Sequence, residues 1–289
     1  MLEPQTTLNC NGQIVSLEEP LIMGIINVTP DSFYDGGLHT EQKLMLKKVE
    51  QMLATGAAII DVGGMSSRPG AEIITVSEEL KRVIPAIEAI HKYFPAAIIS
   101  IDTIHGEVAK TAVLAGAAII NDISAGKTDS SMYPVVAELG VPYILMHMKG
   151  QPKNMQEQAN YEDVRTAVLD FFIQEIGKLR TLGVKDIIVD PGFGFGKSLS
   201  HNYQLLNYLH IFKILDVPIL AGLSRKSMIY KALGLTAAEA LNGTSVLNLV
   251  ALQQGASILR VHDVKEAKET IQLFQLLRQN KEVRSQTEK

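Results

Sequence analysis

The chain has 289 residues, 46% of them hydrophobic and 20% charged, with a net charge of −4 and a pI near 6.0. That is enough apolar material for a complete barrel of roughly 250 residues, expected here as one domain over 1–289, and the mild acidity without Lys/Arg blocks argues against nucleic acid as a partner. One cysteine, Cys10, cannot form an internal disulfide or a cysteine-rich zinc site; with no apolar run able to span a bilayer and no signal peptide at the start, no membrane partner and a cytoplasmic location are expected.

In chain order, Thr7–Leu17 alternates around Asn11-Gly12, which predicts a β-hairpin, placed across the bottom of a barrel. Leu21–Asn27 reads as the first buried strand and Glu41–Ala54 as the first helix. A repeat follows: Gly56-Ala-Ala-Ile-Ile-Asp61, Gly116-Ala-Ala-Ile-Ile-Asn121, Gly183 to Asp190 and Gly255 to His262. Each unit is a helix-ending glycine, a strand apolar on both faces and a polar residue, the pattern of a buried parallel strand leaving a helix. Ala97–Asp102, Pro142–His147 and Pro218–Gly222 complete eight strands. Helices are expected at Ser77–His91, Gly106–Leu114, Tyr161–Leu182, Ala237–Gln254 and Val264–Leu277, the last with Asp263 as N-cap. Lys281–Lys289 is charged and expected to fray. Alternating strands and helices eight times over give an α/β fold, a (β/α)8 TIM barrel with an N-terminal hairpin. The open doubly wound alternative lacks its Gly-x-Gly-x-x-Gly turn after Asn27. Two long connections, 28–40 and 63–75, read as lids, and 149–160 as a mobile loop.

The active site of such a barrel lies where strands end. Those ends are Asn27, Asp61, Asp102, Asn121, His147, Asp190, Ser224 with Lys226, and Arg260 with His262. A single Asp or Asn there is ordinarily a helix cap; a ring of them is a polar pocket. Carboxylates and amides suit the N–H edge of a flat heterocycle. Arg68, Lys226, Arg260 and His262 suit a phosphate. His147 also fits a core histidine, Asp61 an organiser of the second loop, and Arg225 a residue facing a helix or solvent.

Eight motifs then resemble one family. They are Met23–Gly37, Asp61–Gly70, Ser100–Thr103, Asn121–Ile123, Leu145–Met148, Asp190–Lys197, Gly222–Ser227 and Arg260–His262. In this order, each at an expected strand end, they are similar to the dihydropteroate synthases. The resemblance implies condensation of a pterin pyrophosphate with p-aminobenzoate by an SN1-like route. It implies Asp102, Asn121, Met146, Asp190, Phe195, Gly222, Lys226 and Arg260 around the pterin, and Asn27, Arg68, Arg260 and His262 around pyrophosphate. It places Phe33, Ser67, Arg68, Pro69, Phe195 and Ser224 around p-aminobenzoate. Asn27, Asp102, Lys226, Arg260 and His262 would be the catalytic set. Asn27 would hold Mg²⁺, and the protein would be a homodimer packed through its late helices. Met65 and Ser67 depart from the family pattern, where Glu and Thr are common. The competing readings are a methyltetrahydrofolate-dependent corrinoid methyltransferase, against which the Thr29–Phe33 and Ser67–Pro69 segments stand, and a pterin-binding paralogue without catalysis.

Overall fold

The computed structural model describes residues 5–28, 38–65, 73–150, 155 and 158–287. The expected contacts of Phe33, Ser67, Arg68 and Pro69 lie outside these residues, as does most of the lid and mobile-loop reading of the three long connections.

Strands β1 (Thr7–Cys10) and β2 (Gln13–Ser16) form the expected antiparallel hairpin, with Leu8 opposite Val15. Asn11 and Gly12 adopt φ of 52° and 91°, the left-handed pair that matches the twist of a two-residue turn. Eight parallel strands follow: β3 (Leu21–Asn27), β4 (Ile59–Gly63), β5 (Ile98–Asp102), β6 (Ile119–Asp122), β7 (Tyr143–Met146), β8 (Ile187–Asp190), β9 (Leu220–Ala221) and β10 (Ile258–Val261). Their order is β8-β7-β6-β5-β4-β3-β10-β9. The ring closes through a parallel bridge between Val189 and Ile219, where the Val189 N–H donates to the Pro218 carbonyl at 2.9 Å.

Between strands lie α1 (Leu38–Thr55), α2 (Val76–Tyr93), α3 (Gly106–Leu114), α4 (Met132–Leu139), α5 (Val164–Thr181), α6 (Leu199–Asn207), a 3₁₀ helix (Leu209–Leu215), α7 (Ser227–Leu233), α8 (Leu241–Gln254) and α9 (Val264–Thr287). The long helices stand near their expected places. The short α4, α6 and α7 escaped periodicity because two turns or so carry too few apolar repeats. Helix α5 begins late because Asp163 caps it, accepting the N–H groups of Arg165 and Thr166. Helix α9 continues to Thr287, past both its expected end and the start of the expected frayed tail. Its start falls at Val264 as expected, but the Asp263 carboxylate binds Arg225 through two contacts of 2.8 Å and, among the described residues, bonds to no helix N–H. Arg225 also donates to the carbonyls of Ala237 and Ala238, so it is a clasp rather than a solvent-facing group.

Two apolar layers fill the molecule. The larger lies between strands and helices and includes Ile26, Ile60, Ile101, Leu145, Phe172 and Val261. The smaller closes the barrel bottom: Leu8, Cys10 and Val15 of the hairpin meet Met23, Ile59 and Ile258 at the strand beginnings. Cys10 is therefore plugged into the core, and burial pushes its thiol up to about 12. With the bottom sealed, the opposite end is the one left for a ligand.

Leu8 is fully buried in that plug. Leu8→Ala should cost about 2–5 kcal/mol from lost transfer energy plus a cavity. Urea unfolding would show a lower midpoint, while activity measured well below the transition should persist, because the plug lies at the end opposite the strand termini.

Candidate active site at the barrel mouth

The register of the sheet assembles the mouth. Asn27 pairs with Gly63, Gly63 with Asp102 and Asp102 with Asn121, so the polar ends of four neighbouring strands stand level. Across the barrel Met146 pairs with Asp190. Glycine at 63 keeps this rim open; a Cβ there would lie 3.4 Å from that of Asp102.

Arg260 on β10 is the central cation. Its Nε donates to Asp61 Oδ2 at 2.6 Å and its Nη2 to Asp102 Oδ2 at 2.5 Å. Asn121 Nδ2 adds a 3.2 Å bond to the same Asp61 oxygen. Asp61 is fully buried and its carboxylate turns to Arg260 and Asn121; most of the second loop, which it was expected to organise, lies outside the described residues. Burial pushes the Asp102 carboxyl up to about 7; the Arg260 cation opposes this and the neighbouring Asp61 adds to it. Burial tends to lower Arg260, but Asp61 and Asp102 outweigh it and hold the guanidinium firmly charged.

Asp190, at the end of β8, accepts the Gly192 N–H at 2.8 Å. Burial raises its carboxyl, with Lys226 as the main counterweight. Lys226 reaches the Phe193 carbonyl at 2.5 Å and lies 4.8 Å from the centre of the Phe195 ring. Burial brings its ammonium down to about 8, and the Asp190 charge resists. Gly222 faces all three charged groups: a Cβ there would stand 3.7 Å from Lys226 Nζ, 3.8 Å from Asp190 Oδ2 and 4.0 Å from Arg260 Cβ. The absence of a side chain at 222 leaves a space bounded by a carboxylate, an ammonium and a guanidinium.

Apolar side chains complete one wall. Met146 and Phe195 cluster with Ile104, Ile123, Met148 and Met155, and Met65 packs against them. In place of the charge common at position 65 in the family, this chain presents a thioether to that cluster. Ser224 Oγ lies 3.0 Å from His262 Nδ1 and accepts the His262 N–H at 3.2 Å. Partial enclosure and the Arg260 cation hold the His262 imidazole below its ordinary range, so it is neutral at pH 7. Asn27 is exposed at the end of β3, and its side chain makes no hydrogen bond among the described residues.

Of the residues expected from sequence, Asp102, Asn121, Asp190, Gly222, Lys226 and Arg260 converge. Ser224 and His262 form a second pair beside them. His147 is not at the mouth in the same sense. It is buried, its ring stacks edge-on against Phe171 with centroids 5.0 Å apart, and its Nδ1 is 3.0 Å from Lys197 Nζ; the core reading holds. Two roles were not foreseen. Asp61 stood among the expected strand ends, closing a repeat unit as Asp190 does, but its bond to Arg260 was not read from the sequence. Lys197 closed a quoted motif, but nothing in the sequence shows that it turns inward.

The arrangement offers carboxylate and amide acceptors at depth and cations around them, which suits a polar heterocycle carrying an anionic group. Among the described residues no three His, Cys, Asp or Glu side chains are grouped to hold a metal by themselves. No described helix is long and apolar enough to cross a membrane.

Comparison with known proteins agrees with this chemistry. The family model described as pterin binding enzyme matches residues 23–262. The dihydropteroate synthase of Escherichia coli (strain K12) is 46% identical over 270 residues, covering 93% of this chain and 95% of that protein. A solved structure of Xanthomonas albilineans dihydropteroate synthase with 4-aminobenzoic acid is 40% identical, with a TM-score of 0.88, over 94% of this chain and 98% of that one. The same organism's dihydropteroate synthase in complex with 7,8-dihydropteroate is 39% identical, with a TM-score of 0.85 and the same coverage.

The raised Asp102 carboxyl has a stability signature. From its ordinary 3.8 to about 7 the unfolded chain releases this proton more readily than the folded one. The contribution is therefore complete below the lower value and is lost as pH rises through the higher. Asp102→Asn cannot ionise. Its unfolding free energy relative to wild type should improve steadily across that window in urea titrations; a difference that stays flat with pH would refute the shift.

Proposed function

This chain belongs to the pterin binding enzyme family, and we propose that it acts as one pterin-binding domain in which the barrel mouth joins 6-hydroxymethyl-7,8-dihydropterin pyrophosphate to p-aminobenzoate. Dihydropteroate synthase is the activity its relatives carry across nearly the whole chain. The observation that carries the reading is the space at Gly222 between Asp190, Lys226 and Arg260.

The residues divide the work. Asp190, Asp102 and Asn121 accept and donate along the edge of the pterin, and Lys226 bonds its carbonyl and ring nitrogen. Arg260 meets the ring or the pyrophosphate by leaving part of its bond to Asp61 and Asp102; its planar guanidinium suits both partners. His262 donates toward the leaving group, its orientation set by Ser224. The ester C–O bond breaks first, the electron pair leaves with pyrophosphate, and the pterin methylene cation is stabilised by the carboxylates around it. The amine nitrogen of p-aminobenzoate then forms the C–N bond and releases its proton. Phe195 and Ser224 border that second substrate, with Phe33, Ser67, Arg68 and Pro69 assigned to it by resemblance. No side-chain nucleophile is needed, and the single cysteine lies at the far end of the barrel.

Asn27 fits Mg²⁺: its amide oxygen is a hard donor held at the mouth, and this ion takes few protein ligands together with phosphate oxygens. Bound there, Mg²⁺ would neutralise charge on the pyrophosphate. The protein works as a cytoplasmic homodimer in this reading. Supporting a dimer, Leu273, Leu276 and Leu277 on α9 and Val246 on α8 are exposed on helices that pack together. Leu205, Leu206 and Leu209, by contrast, are buried within the chain.

Pyrophosphate release measured with and without p-aminobenzoate tests the reaction. Asp190→Ala and Arg260→Ala should each lower kcat/KM by about 100-fold or more while the barrel stays folded. EDTA should suppress turnover and Mg²⁺ restore it. Pterin binding without dihydropteroate formation in the wild type would reject the assignment.

A further inference from the structure

Lys197 is a buried lysine that the reaction above does not use. It is 2% exposed, and its Nζ donates to the carbonyls of Gly192 at 2.9 Å, Phe195 at 3.0 Å and His147 at 3.1 Å. His147 Nδ1 lies 3.0 Å from the same nitrogen. Burial pulls this amine well below its ordinary range and the Asp190 charge resists; three carbonyls stand in reach of its N–H groups, with the buried His147 imidazole, itself lowered by burial, beside it. These acceptors belong to two segments: His147 follows β7, and Gly192 and Phe195 follow β8.

The two segments meet backbone to backbone. Gly192 and Gly196 have φ of 67° and 61°; a Cβ on the first would fall 2.0 Å from the His147 carbonyl oxygen and on the second 2.3 Å from that of Lys149. Close approach on this scale requires glycine. It also turns carbonyl groups inward, where they need a buried donor. Lys197 is that donor. The loop it holds carries two groups that contact Lys226: the Phe193 carbonyl at 2.5 Å and the Phe195 ring at 4.8 Å.

We propose that Lys197 is a positioning residue for the pterin pocket: it ties the exits of β7 and β8 together and so fixes the Phe193 carbonyl and Phe195 ring that aim Lys226. The inference rests on the pterin reading of this mouth. It places the effect on one side of the site, since Asn27 and His262 belong to β3 and the β10 exit and, among the described residues, form no hydrogen bond to this loop. A loosened support shell displaces the groups it carries without removing them.

Lys197→Met keeps the length of the side chain and removes its donors. Wild-type protein should bind 6-hydroxymethylpterin in calorimetry; failure there counts against the pterin reading and not against Lys197. In the folded variant, checked by near-ultraviolet circular dichroism, the pterin Kd should rise about tenfold or more, while the Kd for inorganic pyrophosphate stays within about twofold. Lys197→Gln retains two N–H donors and should show a smaller loss of pterin affinity, a partial rescue that a volume effect would not give. The proposal is overturned if a folded variant binds pterin as wild type does, or if pterin and pyrophosphate weaken together. It is equally overturned if neither variant folds, which would make Lys197 a purely structural residue.

Discussion

Arg260 and Asp61 are separated by 199 residues in the chain and by 2.6 Å in the fold. A guanidinium and a fully buried carboxylate can share the end of a barrel only if each compensates the other, because either alone would carry a heavy desolvation cost. Asp102 and Asn121 join the same cluster, so four strand ends are locked into one hydrogen-bonded unit. The rest of the mouth is built out from it.

The cluster also explains why the site holds its charge without collapsing. Three carboxylates around one guanidinium and one ammonium would repel one another in a closed core. Here burial raises the carboxyl groups of Asp102 and Asp190 and lowers the ammonium of Lys226, and the opposite charges beside each hold the shift back. Groups poised in this way respond strongly to a polar heterocycle that can complete their hydrogen bonds. Gly222 leaves the room for one, and the hairpin plug at the opposite end directs it there.

Much of this was legible in the sequence because it rests on short-range pattern. Glycine, an apolar strand and a polar residue recur in β4, β6, β8 and β10, and the barrel rule then assigns the polar residue to the mouth. Asn11-Gly12 announced the hairpin. Partnership was not legible: nothing local tells Asp61 to meet Arg260, or Arg225 to bind Asp263 in preference to Asp263 capping α9. Lys197 is the clearest case. A lysine after three glycines reads as solvent-facing, and only the tertiary approach of the β7 exit supplies the carbonyls that draw it inward. Short helices such as α7 were missed for a different reason, since seven residues hold too few turns to display a periodicity.

The most direct measurement is a double-mutant cycle of Asp61→Asn and Arg260→Met, read as affinity for 6-hydroxymethyl-7,8-dihydropterin pyrophosphate. If the pair is the unit on which the mouth is built, the two changes should be strongly non-additive, with a coupling energy of about 1–3 kcal/mol. Additive losses would show that Arg260 acts on the ligand independently of Asp61 and would contradict the central place given to their contact.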